Sequence, residues 1–211
     1  MDGNARWAQK QGLPVLEGHR EGASVLKQTV RDARALGVVE LTAYAFSTEN
    51  WARPTAEVRG LMKMFVELID SEVPELHEEE TRVRFMGKRD RIPKRLRERM
   101  EWAEDLTREH TDRTLCVAFD YGGRAEILDA ALAYQGGGEE EFRRRLYAPE
   151  MKDPELVIRT SGEQRLSNFL LWQSAYSELY FSEKLWPEFD RGELERALSE
   201  YGSRQRRFGA R

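Results

Sequence analysis

The 211-residue sequence predicts an α/β fold, a single domain over residues 1–211 with a mostly parallel central β-sheet flanked by helices. Three observations carry that expectation. Short apolar runs, Leu41 to Phe46, Thr114 to Phe119 and Leu156 to Ile158, have the length and composition of buried strands. Between them lie segments of helical apolar spacing, the longest from Val58 to Leu76. Each apolar run then empties into a polar cluster, and parallel α/β sheets bind ligands beyond the carboxyl ends of their strands.

The chain opens on Met1-Asp2-Gly3-Asn4-Ala5-Arg6-Trp7, where an acid, a glycine that lets backbone N–H groups approach an anion, and a guanidinium stand together. This set reads as half of a metal and polyphosphate site. Gly12-Leu13-Pro14 is turn chemistry, and Gly18-His19-Arg20-Glu21-Gly22 reads as a loop leading into a helix over Val25, Leu26, Thr29, Val30 and Ala33, which Gly37 ends. The strand Leu41 to Phe46 delivers the cluster Ser47 to Pro54, and Pro54 and Glu57 open the Val58 to Leu76 helix. Arg82 to Met86 alternates as a strand, and Pro93 to His110 is a charged outer helix. Thr114 to Phe119 runs into Asp120-Tyr121-Gly122-Gly123-Arg124 and the helix Ala125 to Tyr134. Gly136-Gly137-Gly138 connects to a short helix with an acidic first turn. Leu156 to Ile158 delivers Arg159 to Asn168, an aromatic-rich stretch follows from Phe169 to Phe181, and Gly192 to Arg207 closes as a helix with a basic end.

Composition narrows the function. A net charge of -4 with 34% charged residues describes an ordinary soluble surface and does not favour nucleic acid. The single cysteine, Cys116, lies in an apolar run, reads as core, and supplies neither a disulfide nor a Cys-based metal cluster. A reducing cytoplasm fits. The sequence contains neither a signal peptide nor an apolar run of the roughly 18 residues that would span a bilayer. The P-loop, the dinucleotide glycine fingerprint and the G-x-S-x-G elbow are all absent. His77 and His110 read as solvated, and His19, between Gly18 and Gly22, reads as functional.

Arg159, Arg165 and Ser167 around Gly162 offer two guanidiniums and a hydroxyl, donors suited to a diphosphate. Asp2 and Glu178 are oxygen ligands of the kind Mg²⁺ takes beside phosphate oxygens and water.

Six blocks occur in order: Met1-Asp2-Gly3-Asn4-x-Arg6-Trp7, Gly18-His19-x-x-Gly22, Ser47-x-Glu49-Asn50-Trp51-x-Arg53-Pro54, Tyr121-Gly122-Gly123-Arg124, Arg159-Thr160-x-Gly162-Glu163, and Arg165-x-Ser167-Asn168-Phe169-Leu170-Leu171-Trp172-Gln173. Together they resemble the cis-prenyltransferases, and the likeness runs on to Arg206-Arg207-Phe208-Gly209. The resemblance implies a homodimeric, Mg²⁺-dependent α/β enzyme that condenses isopentenyl diphosphate onto an allylic diphosphate such as farnesyl diphosphate, with a cis double bond at each added unit. Carried over, Asp2 would hold Mg²⁺ and the allylic diphosphate with Gly3, Asn4, Arg6 and His19. Arg159, Arg165 and Ser167 would hold the diphosphate of isopentenyl diphosphate, and Glu178 would be a further metal ligand. Trp7 and Trp51 would line the site, and Asn50 would assist proton removal with Ser47, Glu49 and Arg53 nearby. The product, a long polyprenyl diphosphate, would grow in an apolar tunnel between sheet and helices and pass to the membrane surface from a cytoplasmic or peripheral enzyme. Small Ala45 favours a long product. The competing readings are a non-catalytic partner subunit with the same fold, which the retained Asp2, Arg159, Arg165 and Glu178 speak against, and a short-chain cis-prenyl diphosphate synthase.

Several positions depart from the family pattern. Val15 stands in place of a basic phosphate contact, Asp120 in place of Asn, and Gln164 in place of a frequent His. The apolar strand that precedes the Asp-Gly-Asn motif in the family is expected to be missing before Met1.

Overall fold

The computed structural model describes residues 1–204. Helix and strand alternate as the apolar periodicities require: α1 (Asn4–Lys10), α2 (Val15–Ala35), β1 (Glu40–Ser47), α3 (Thr55–Glu78), β2 (Arg82–Met86), α4 (Lys94–Leu106), β3 (Thr114–Tyr121), α5 (Gly123–Ala133), α6 (Gly138–Arg143), β4 (Leu156–Arg159), β5 (Glu178–Phe181) and α7 (Arg191–Ser203). A short 3₁₀ turn, Thr48–Ala52, follows β1. No helix among the described residues is long and apolar enough to cross a membrane.

All strand pairings are parallel, but they form two sheets rather than one: β1-β3-β2 and β4-β5. β3 is the middle strand and is packed on both of its faces, which is why it reads as a continuous apolar run. Leu115 and Val117 pack with Val30 of α2, and Phe119 packs in the large cluster of α3 and α4. Cys116, Ala118 and Tyr121 face the other way, against Ala148 and Leu170. Cys116 is fully buried, as its apolar neighbours predict, and burial pushes its thiol up to about 12.

Three expectations are corrected. Residues 4–10 are helical, and α2 runs unbroken through Gly18 and Gly22, so His19 is on a helix rather than in a loop. The two glycines, one turn apart, form the face that α1 crosses: a Cβ on Gly18 would lie 2.2 Å from the Asn4 carbonyl oxygen, and one on Gly22 would lie 2.2 Å from Asn4 Oδ1. Packing overrides the poor helix propensity of glycine there. β5 lies hidden inside the aromatic stretch 169–181, whose composition masked its strand character. His77 and His110 are hydrogen-bonded to one another at 2.9 Å, so neither is simply solvated. The basic end foreseen for the closing helix, including Arg206 and Arg207, lies outside the described residues, and α7 ends at Ser203.

Candidate active site

The site is built where β1 and β4 end. Ser47, the last residue of β1, caps the 3₁₀ turn, and Asn50 Oδ1 accepts the Ser47 N–H at 3.0 Å. This closed, local turn carries Asn50 and Arg53 toward the site and sends Trp51 elsewhere. Trp51 Nε1 donates to Asp120 at 2.8 Å, and its ring meets Phe46 edge-on at 5.1 Å. Asp120 is fully buried, and Arg91 answers its charge at 2.6 Å, which accounts for an acid at that position.

Arg159, the last residue of β4, reaches in three directions. Its Nη2 donates to Asp2 Oδ2 at 3.0 Å, and its Nη1 donates to Ser167 Oγ at 2.6 Å and to the Arg165 carbonyl. Thr160 then ties down the Asp2 backbone, accepting its N–H and donating to its carbonyl, both at 2.9 Å. Gly3 turns the chain into α1 with φ of +106°, and Arg6 comes back onto Asp2 Oδ1 at 3.4 Å and onto the Ser161 hydroxyl. Arg165 is paired with Glu163, which also lies 3.5 Å from Arg6.

The loop after β4 is strained. Ser161, Ser167, Asn168 and Leu170 all lie in the left-handed region, with φ of 83°, 47°, 67° and 44°. Asn168 holds it in place: its Oδ1 accepts the Arg124 N–H at 2.8 Å, its Nδ2 donates to Glu49 at 2.9 Å, and its carbonyl accepts the Gly123 N–H at 2.7 Å. Gly122 leaves room for this contact, since a Cβ there would lie 2.7 Å from Asn168 Nδ2. One side chain thus joins the loops after β1, β3 and β4.

A cavity of 750 Å³ runs between β1 and β4. Asp2, Gly3, Asn4, Arg6, His19 and Ser47 line it, and so do Asn50, Arg53, Arg159, Arg165 and Ser167. Trp7, Glu49, Trp51 and Glu178 are not in its lining. Glu49 is spent on Asn168, and Trp51 on Asp120. Glu178 is separated by strand direction: it pairs with Leu156, at the opposite end of β4 from Arg159, roughly 10 Å away at the rise of a parallel strand. There Glu178 is ion-paired with Arg204 at 2.7 Å. Within one chain, therefore, Asp2 and Glu178 do not meet.

A second cavity, of 150 Å³, is apolar and lies between the α2 and α3 helices and the three-stranded sheet, against Val30, Phe65, Ile69, Val117 and Phe119. Asn4, His19 and Ala45 border both cavities.

Two charges in the site are set by their surroundings. Burial pushes the Asp2 carboxyl up, but the hydrogen bond and charge of Arg159, with the charge of Arg6, outweigh it and hold Asp2 below the ordinary carboxylate range. Burial, reinforced by the Arg53 cation, lowers His19 to about 4, so its ring is neutral near pH 7 and its Nε2, 3.4 Å from Arg53 Nη1, is an acceptor.

Among the described residues no group of three or more His, Cys, Asp or Glu is placed to hold a cation. Of the two expected metal ligands, Asp2 alone faces the cavity. An ion sharing one carboxylate with substrate phosphates and water is a usual Mg²⁺ arrangement, so this donor set fits.

The match to known proteins spans the whole chain. A family model described as "Putative undecaprenyl diphosphate synthase" covers residues 1–209. The chain belongs to this prenyltransferase family. An isoprenyl transferase of Thermotoga maritima is 51% identical over 99% of this chain and 94% of its own length. One of Clostridium perfringens is 46% identical over 99% of this chain and 87% of its own. Among solved structures, lavandulyl diphosphate synthase of Lavandula x intermedia, in complex with dimethylallyl diphosphate, superposes with a TM-score of 0.95 at 34% identity, covering 99% of this chain and 95% of that one. A probable undecaprenyl diphosphate synthase of Campylobacter jejuni gives a TM-score of 0.82 at 31% identity, covering 90% and 92%.

Three residues at the prenyltransferase site received no role from the sequence: Thr160, Ser161 and Asn168. Their position directly after a strand was the available signal. What they do is bond backbone and side chains far away in sequence, and no local pattern encodes that.

Proposed function

We propose that the chain is a Mg²⁺-dependent cis-prenyltransferase that repeatedly condenses isopentenyl diphosphate onto an allylic diphosphate, giving a long polyprenyl diphosphate of the undecaprenyl carrier-lipid type. One observation carries the reading. One cavity, which adjoins an apolar one, is lined by Asp2, held by both Arg6 and Arg159, by the His19–Arg53 pair, and by Arg165 and Ser167; in this reading they divide into two sets, Arg6, His19 and Arg53 for one diphosphate and Arg159, Arg165 and Ser167 for the other. Two diphosphates repel each other, and holding both side by side calls for two such sets.

In the reaction the C1–O bond of the allylic diphosphate breaks, the double bond of isopentenyl diphosphate attacks C1, and one proton is released. Negative charge grows on the departing diphosphate, and Arg6 is aimed to stabilise it there. Asp2 would hold Mg²⁺, which when bound adds Lewis-acid stabilisation of that leaving group. Asn50 Oδ1 already accepts the Ser47 N–H on one lone pair, Nδ2 is a donor, and a neutral amide is a weak base. Its role in this reading is therefore to orient substrate rather than to abstract a proton. The apolar cavity would receive the growing hydrocarbon. Glu178 could serve such an ion only from a second copy or after rearrangement. A homodimer, a cytoplasmic location and delivery of product to the membrane surface belong to the same reading.

The bacterial relatives named isoprenyl transferases favour a long product. The lavandulyl diphosphate synthase neighbour supplies the second reading, a short-chain synthase. Incubation with farnesyl diphosphate, labelled isopentenyl diphosphate and Mg²⁺, followed by sizing of the extracted lipid, decides between them. A ladder of long products is expected, a single short product selects the second reading, and no incorporation sinks both.

A further inference from the structure

The apolar cavity has one firm wall and one weak wall. The firm wall is the three-stranded sheet, held by its parallel ladder. The weak wall is α2 with α3, which run in the same direction and are joined along a seam of ion pairs. Every cation in that seam comes from α2 and every anion from α3 or its C-cap, Glu79. Arg20 lies 3.9 Å from Glu67; Lys27 lies 2.7 Å from Glu72 and 2.9 Å from Glu75; Arg31 lies 2.8 Å from Glu75 and 3.2 Å from Glu79; Arg34 lies 3.7 Å from Glu79. Lys27, Arg31, Glu72, Glu75 and Glu79 border the cavity itself. Pro74 sits inside α3 at this level and has no N–H, so the Asp70 carbonyl lacks its helical donor where the seam is densest. Partly exposed pairs of this kind are individually weak and yield to salt.

We propose that the α2–α3 ion-pair seam sets how much hydrocarbon the cavity can house, and therefore where chain elongation stops. The inference rests on the prenyltransferase reading above. Each condensation adds five carbons, and a chain growing into 150 Å³ soon fills it. One wall must then give way. Parting the sheet would break ladder hydrogen bonds in an apolar core, whereas parting the seam returns charged groups to water and loosens a few apolar contacts, such as Leu16 with Gly60, that the entering hydrocarbon can replace. Burial of each new unit favours opening, the seam opposes it, and elongation ends where the two balance.

The test compares the lipid products of the native protein, of Lys27→Glu/Arg31→Glu, and of that double variant carrying Glu72→Lys/Glu75→Lys as well, with circular dichroism as the check on folding. The first variant, whose helices repel, is expected to make a main product longer by at least one five-carbon unit, and the swapped variant to return toward the native length. Native protein in about 1 M salt, where the screening length falls to about 3 Å, should shift in the same direction as the first variant. Unchanged product length in a folded, elongating variant overturns the inference. If the charge-reversed protein does not fold, native product length that ignores salt overturns it instead. Failure of the native protein to elongate at all refutes the underlying function, and is read from the native arm alone.

Discussion

The loops after β1 and β4 both carry residues that line the cavity, yet they are held in opposite ways. The first is a short turn closed on itself, with Ser47 and Asn50 capping each other and ordinary backbone angles at its caps. The second has Ser161, Gly162, Ser167, Asn168 and Leu170 in the left-handed region and depends on Asp2, Glu49, Gly123 and Arg124 for its shape. A locally encoded loop keeps its geometry alone, whereas the strained one has it only in the assembled fold. The strained loop is also the one that grips Asp2, so the position of Asp2 is coupled to the tertiary bonds that hold it.

The largest expected effect comes from removing the residue that the strained loop grips. Asp2→Ala should lower kcat/KM by about 10³-fold, from loss of the metal carboxylate and of the partner that orders Arg159. Near-normal turnover in steady-state assays would remove Asp2 from the mechanism.

A pH effect of intermediate size tests the other side of the site. His19 is depressed in the folded protein, from 6.5 to about 4. Between those values the unfolded chain binds more protons, so stability is retained above pH 6.5 and lost as pH falls toward 4, by at most about 3 kcal/mol. In urea titrations His19→Gln should lose less stability than the native protein between pH 7 and pH 4.5. Equal losses would mean that His19 is not held neutral by its surroundings.

The smallest effects compare the two loops directly. Asn168→Ala removes two side-chain hydrogen bonds and places alanine at a left-handed angle, and should cost about 2–3 kcal/mol of stability. Asn168→Gly relieves the angle and should cost less. Ser47→Ala removes only a local cap and should cost about 1 kcal/mol. If thermal melts rank Ser47→Ala as the most damaging of the three, the contrast between the loops is wrong.

The sequence disclosed those features whose causes are local. β2 was expected at its observed bounds because Arg82 to Met86 alternates. β3 was visible as an apolar run because both of its faces are covered, and polar clusters followed the strands at the edge where parallel α/β sheets generally bind ligands. The glycines of α2 misled, because helix propensity argues for a loop where the approach of Asn4 requires a bare helix face. Glu178 was offered to the metal as an oxygen ligand and by the family resemblance, and its place in β5, at the opposite end of β4 from Arg159, was not visible because β5 was not seen. Trp51 has the composition of a pocket liner, but its indole N–H is claimed by buried Asp120 across 69 residues of chain.

The central claim is that two donor sets serve two different diphosphates, and Arg165 separates them best, since it lines the cavity while its side chain, among the described residues, pairs locally with Glu163. Steady-state kinetics of Arg165→Ala, with each substrate varied in turn, tests that claim most directly. Loss of one charge-assisted contact should raise KM for isopentenyl diphosphate by about 10- to 100-fold and leave KM for the allylic diphosphate within about twofold of native. An equal rise for both substrates would contradict the assignment of separate diphosphate sites.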